Sequence, residues 1–154
     1  MERIGFFAGS FDPFTYGHLH VVKISADLFD KVIIGIGKNP TKERRFDEQV
    51  MAEGIRNVLK NNSLENVSVV IYDNLSVDTA KANNAHFLIR GIRNGMDYDF
   101  EETLASFNSE VSGLETIYIR AGSIGPINST MIMDLYRNNA DLTKFLPPEI
   151  IEIL

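Results

Sequence analysis

At 154 residues the chain has the length of one domain with room for a substantial core, and its 44% hydrophobic content is that of a globular protein. No apolar run approaches the roughly 20 residues that span a bilayer and no signal-peptide pattern opens the chain, so no membrane association is expected and the cytoplasm is the default address. The absence of cysteine excludes disulfides and thiolate metal sites, and a net charge of −6 argues against nucleic acid as a partner while leaving room for a basic pocket that takes a small phosphorylated ligand.

The first predicted strand, residues 3–8, gives way after Gly9 to Ser10-Phe11-Asp12-Pro13-Phe14-Thr15-Tyr16-Gly17-His18. Gly9 and Gly17 allow close backbone approach, Pro13 stiffens the turn, and the unpaired N–H groups of a following helix attract anions. That helix, residues 18–29, carries Val21, Val22, Ser25, Leu28 and Phe29 on one stripe. A second strand over 31–37 precedes a helix over 46–59, with Asp47 as its cap and Met51, Ile55, Val58 and Leu59 repeating along it. Strands follow at 67–72, 85–90 and 115–120, separated by helices at about 78–83 and 98–111. A helix over 129–138 and a short one within 147–154 complete the chain. Strand–helix alternation predicts an α/β architecture: residues 1–154 as a single domain built on a doubly wound, parallel, five-stranded sheet, with ligand beyond the carboxyl ends of the strands.

Four segments converge at that edge: residues 9–18, 39–46, 90–101 and 123–130. They offer His18, Lys42, Arg90 and Arg93 as cationic or cationisable groups and Ser10, Ser129 and Thr130 as hydroxyl donors, a set suited to a polyphosphate. Taken singly, several have plainer explanations. Lys42 lies in the charged run Lys42-Glu43-Arg44-Arg45, which reads as solvated loop, and Asn128-Ser129-Thr130 reads as a helix cap. Asp97, Asp99, Glu101 and Glu102 read as a solvated helix start favoured by the dipole. His20 and His86 attract no functional reading. No second histidine or carboxylate near His18 has ligand spacing, so no metal held by side chains is expected.

Thr15-x-Gly17-His18 is similar to the signature of a nucleotidyltransferase superfamily with a Rossmann-like fold. Adding Leu88-Ile89-Arg90-Gly91-Ile92-Arg93, Asp97-Tyr98-Asp99-Phe100-Glu101 and Phe145-Leu146-Pro147, the chain resembles bacterial phosphopantetheine adenylyltransferases nearly end to end. The resemblance implies reversible transfer of the adenylyl group of ATP to 4′-phosphopantetheine, giving dephospho-coenzyme A and pyrophosphate, the penultimate step of coenzyme A biosynthesis. It implies Mg²⁺ carried mainly on the ATP phosphates, feedback by coenzyme A, and a homohexamer built as a dimer of trimers. By the same resemblance His18, Lys42, Ser10 and Arg93 are catalytic. Ser10, Lys42, Ser76 and Arg90 hold the phosphopantetheine side. Ser10, Phe11, His18, Gly91, Ile92, Arg93, Glu101, Ile124, Gly125, Pro126, Ile127, Asn128, Ser129 and Thr130 surround ATP.

The chain departs from the family pattern mainly on its nucleotide loop: Ile124 stands for an aromatic residue, Asn128 for a serine and Met133 for a cation, while Ser10 replaces the commoner threonine and Phe100 a tyrosine. Two alternatives stay open on sequence alone. One is a related cytidylyl- or adenylyltransferase with another phosphorylated acceptor; the other is a nucleotide or coenzyme A sensor that no longer turns over.

Overall fold

The computed structural model describes residues 1–121 and 128–154. Strands form where β-branched and aromatic residues run together: β1 (Ile4–Gly9), β2 (Lys31–Gly37), β3 (Val67–Tyr72), β4 (Phe87–Ile92) and β5 (Glu115–Arg120). Helices α1 (Tyr16–Leu28), α2 (Glu48–Asn61), α3 (Ser76–Ala82) and α4 (Gly95–Ser112) connect them, and α5 (Ser129–Arg137) and α6 (Pro148–Ile151) follow. All five strands pair in parallel in the order β3-β2-β1-β4-β5.

Successive residues of a strand face opposite sides of the sheet. The register sets Phe6 beside Ile33 and Leu88, and Phe7 beside Ile34 and Ile89. The first row joins Val77 and Ala80 of α3 in one core; the second joins Val21 and Val22 of α1 and Ile55 and Val58 of α2 in the larger one. With both faces covered, β2 is apolar almost throughout, and Val32, Ile33, Ile34 and Ile36 are all buried.

Growth of the sheet reverses between β3 and β4, so β2 and β4 flank β1 and the connections at its carboxyl end leave in opposite directions. Such a switch point opens a crevice at the strand ends. The tail closes part of it: Leu142, Leu146 and Ile150 are buried in the main core, and Phe145 C=O accepts from Tyr16 N–H at 2.9 Å. That satisfies a donor of the first turn of α1 that no helical carbonyl reaches.

Asp47 caps α2 as expected, its carboxylate accepting from the N–H groups of Gln49 and Val50. Other boundaries differ from expectation where a cap outside the apolar pattern sets them. Helix α1 starts at Tyr16 because Thr15 caps it, and α4 starts at Gly95 because the Asn94 side chain accepts from Asp97 N–H. Helix α3 starts two residues earlier than expected, at Ser76. Leu28, expected on the buried stripe of α1, is exposed. Strand β4 continues two residues beyond Arg90, because Gly91 and Ile92 stay in register with Ile119 and Arg120.

Gly35 shares a face with Ile33 one pleat further along β2, where a Cβ would run into the wholly buried ring of Phe6. Gly35→Ala is expected to cost about 1–3 kcal/mol through overpacking, read as a lower urea midpoint with an unchanged slope; an unaltered midpoint would contradict it.

Candidate active site

Beyond β1 the chain turns through Phe11, whose φ of 46° is in the left-handed region that a bulky residue rarely adopts. The turn folds the Phe11 ring back under the strand end, where it is buried. His18 packs against Phe11, Phe14 and Phe7, with ring centroids 4.9, 5.5 and 6.3 Å away. Aromatic carbon thus shields part of its imidazole from water, while the residue also lines the cavity.

Thr15 and His18 cap α1 reciprocally. Thr15 Oγ1 accepts from His18 N–H at 3.3 Å, and Thr15 N–H donates to His18 Nδ1 at 3.0 Å. A neutral imidazole whose Nδ1 accepts carries its proton on Nε2. Burial, and then the positive charges of Arg90 and Arg93, pull the His18 pKa from 6.5 down to about 4. At neutral pH His18, expected from sequence among the cationisable groups, is therefore an uncharged Nε2–H donor.

The positive charge comes from the arginines. Arg90 grips Glu101 through two parallel bonds, Nε–Oε2 at 2.7 Å and Nη2–Oε1 at 2.8 Å, and Nη1 donates to Ala8 C=O. Of the five N–H donors of a guanidinium these use three, leaving two for a ligand. Arg93 pairs with Asp97 one helical turn on, Nε–Oδ2 at 2.9 Å, and this bond holds the Asp97 carboxyl below its ordinary pKa. Tyr118 donates to Glu102 Oε2 at 2.6 Å, and burial, then this bond, push the phenol pKa up. The acidic start of α4 is therefore not simply solvated: Asp97, Glu101 and Glu102 each hold a named partner.

A cavity of about 300 Å³ lies at the switch point. It is lined by the β1–α1 loop including Ser10, Phe11 and His18, by Arg90, Gly91, Arg93, Asp97 and Glu101, and by Asn128 and Ser129 at the start of α5. Asn128 caps that helix by accepting from Met131 N–H. Lys42, Ser76, Ile92 and Thr130 are not among the lining residues. Lys42 is exposed, its N–H donating to Asn39 C=O at 3.2 Å in the loop after β2, and Ser76 opens α3 beyond the end of β3. Met133 is buried and does not line the cavity either. Ile124, Gly125, Pro126 and Ile127 lie outside the described residues.

Sequence reasoning left two features of the site without a role. Asp97 lines the cavity as the partner of Arg93, and its i,i+4 spacing from that arginine was the available signal. Asp12, inside the opening motif, accepts from Arg45 N–H at 2.8 Å and Phe46 N–H at 2.9 Å. No local pattern announces that contact between two loops.

A parallel five-stranded sheet with a cavity of about 300 Å³, arginines and a helix start at its switch point is the architecture of a nucleotide-handling α/β protein. A sequence model of the Cytidylyltransferase-like family matches residues 6–135. The chain is 38% identical over 146 residues to a phosphopantetheine adenylyltransferase of Bacteroides thetaiotaomicron, covering 94% of this chain and 95% of that one. It is 37% identical over 153 residues to the enzyme of the same name from Leuconostoc mesenteroides, covering 98% and 93%. A crystal structure from Vibrio parahaemolyticus, provisionally described as a nicotinate-nucleotide adenylyltransferase, superposes with a TM-score of 0.73 at 17% identity over 99% of this chain and 98% of that one, a likeness of fold. The chain belongs to the Cytidylyltransferase-like family and, within it, to the phosphopantetheine adenylyltransferases.

Glu101 is buried while its partner Arg90 stays partly exposed. Glu101→Ala is expected to cost on the order of 2 kcal/mol in chemical denaturation. In a double-mutant cycle with Arg90→Ala the coupling is expected to reach about 1 kcal/mol, and a coupling near zero would show that the pair contributes nothing to stability.

Proposed function

We propose that the protein transfers the adenylyl group of ATP to 4′-phosphopantetheine, reversibly, giving dephospho-coenzyme A and pyrophosphate at the penultimate step of coenzyme A biosynthesis. Relatives with this activity in their names align along almost the whole chain, and the neutral His18 donor beside two arginines carries the chemical side of the proposal. A phosphate oxygen of 4′-phosphopantetheine attacks the α-phosphorus of ATP. The new P–O bond forms as the bond from that phosphorus to the bridging oxygen breaks, and the electron pair leaves with pyrophosphate. The nucleophile is already an anion, so no protein nucleophile and no strong base is needed. What remains is alignment and stabilisation of charge that builds on the phosphoryl oxygens.

In this scheme His18 donates from Nε2 to the transferring phosphate, Ser10 stands between the substrates, and Arg93 carries charge on the ATP side. Arg90 offers its two remaining donors to the phosphate of phosphopantetheine, Lys42 meets that substrate from the loop after β2 outside the cavity lining, and Ser76 follows the pantetheine arm. Phe11, Gly91, Ile92, Glu101, Asn128, Ser129 and Thr130 form the ATP side, with Ile124, Gly125, Pro126 and Ile127 completing it.

Among the described residues no group of three or more His, Cys, Asp or Glu side chains has the arrangement of a metal site. The three carboxylates that line the cavity, Asp12, Asp97 and Glu101, are each paired with an arginine. Mg²⁺ would therefore be carried by the ATP phosphates and not by these side chains, and would supply neutralisation of charge on the triphosphate. The chain acts as one domain, with coenzyme A as its feedback inhibitor and the cytoplasm as its place of work; among the described residues no helix is long and apolar enough to cross a membrane. A homohexamer is supported by α4, where Met96, Phe100, Leu104, Phe107 and Val111 are exposed in a row at helical spacing.

His18→Ala is expected to fold normally and to lose roughly 10²–10³ in kcat. Pyrophosphate release from ATP and 4′-phosphopantetheine, followed beside circular dichroism, checks this; normal turnover by the variant would remove His18 from the mechanism.

A further inference from the structure

The loop between β2 and α2 reaches back to the loop after β1 through Arg44. Its guanidinium is nearly buried, with 11% of the side chain exposed. Nη1 donates to Ser10 C=O at 2.7 Å, Nη2 lies 3.5 Å from Phe11 C=O, and Nε donates to Phe46 C=O at 2.9 Å within its own loop. The Asp12 carboxylate is 3.7 Å from Nη2 and accepts the N–H groups of Arg45 and Phe46, while Arg45 Nη1 donates to Asp12 C=O at 3.2 Å. The two loops are thus stitched together in both directions.

Arg44 does not line the cavity; Ser10, Phe11 and Asp12 do. The arginine holds the catalytic loop from behind. A trans peptide points its C=O and N–H in opposite directions. Fixing the Ser10 carbonyl on Arg44 therefore turns Phe11 N–H away from Arg44 and helps hold the Phe11 backbone in its left-handed conformation. The same guanidinium fixes the loop that carries Lys42 two residues earlier. A charge this buried is costly unless its donors are all used, and here each nitrogen has a backbone partner on one of the two loops.

We propose that Arg44 is a positioning residue for the transfer reaction, setting the Ser10–Phe11 backbone and the Lys42 loop in one geometry although it touches neither substrate. The proposal rests on the adenylyl-transfer function above. Misplacing a reacting group by about 1 Å costs up to 10²-fold in rate. Arg44→Ala is therefore expected to lower kcat and kcat/KM together by about 10- to 10²-fold when assayed at a temperature where circular dichroism shows the variant fully folded.

The test measures pyrophosphate release for wild type, Arg44→Ala, Arg44→Lys and His18→Ala, each with and without guanidinium ion at a concentration too low to denature. Partial recovery of Arg44→Ala by guanidinium, with none for His18→Ala, together with intermediate activity for Arg44→Lys, is the expected result. Wild-type kinetics in Arg44→Ala would overturn the proposal. So would a loss of rate that only tracks a loss of folded protein, or that guanidinium leaves unchanged. A folded wild type that releases no pyrophosphate would instead overturn the function itself, and the role of Arg44 with it.

Discussion

The hydrogen bond from Thr15 N–H to His18 Nδ1 sets the protonation of the histidine that lines the cavity, and the proposed chemistry depends on it. It does two things at once. It satisfies a backbone donor at the start of α1, and it settles which imidazole nitrogen holds the proton. The aromatic rings of Phe7, Phe11 and Phe14 then shield one side of the histidine from water. A protonated ring would need two acceptors; here one nitrogen is already occupied by a donor. The left-handed turn at Phe11 and the capping threonine together place one neutral N–H at the carboxyl end of β1.

Charge is handled separately. Arg90 comes from the middle of β4 and Arg93 from just beyond it, on the far side of the switch point from β2. Each holds a carboxylate of α4, so the cavity balances its positive charge before any ligand arrives. On the proposed function this is how an acidic chain carries a phosphate site: basic groups gather at one edge of the sheet and are kept in position by nearby acids. A phosphate entering this site meets arginines already held in place, with less side-chain entropy left to lose.

Much of this was legible in the sequence. Runs such as Val32-Ile33-Ile34 and Val67-Ser68-Val69-Val70 identify strands because two-sided burial demands β-branched side chains, and strand–helix alternation identifies a parallel sheet. The family resemblance rests on motifs that the fold gathers at one cavity: Ser10, Phe11, His18, Arg90, Gly91, Arg93 and Glu101 all line it. The uncharged state of His18 was not legible, because it depends on rings and arginines brought together by the sheet. Arg44 looks like part of a solvated run because the Asp12 carboxylate and Ser10 carbonyl that bury it lie more than thirty residues away, |i−j| being 34 for the Ser10 contact. Arg90 looks like a strand end because only its register with β5 shows that the strand continues.

A half-buried neutral histidine also leaves a mark on stability. The folded protein binds the proton less readily than the unfolded chain, so the contribution of His18 is complete above pH 6.5 and is lost as pH falls from there through about 4. The most direct measurement of the central claim is nitrogen-15 NMR of the His18 ring in the protein alone, assigned by comparison with His18→Gln. The account predicts an unprotonated Nδ1 and a protonated Nε2 whose shifts stay constant from pH 8 down to about pH 5. A ring that titrates with a midpoint near 6.5, or that carries its proton on Nδ1 at neutral pH, would contradict it.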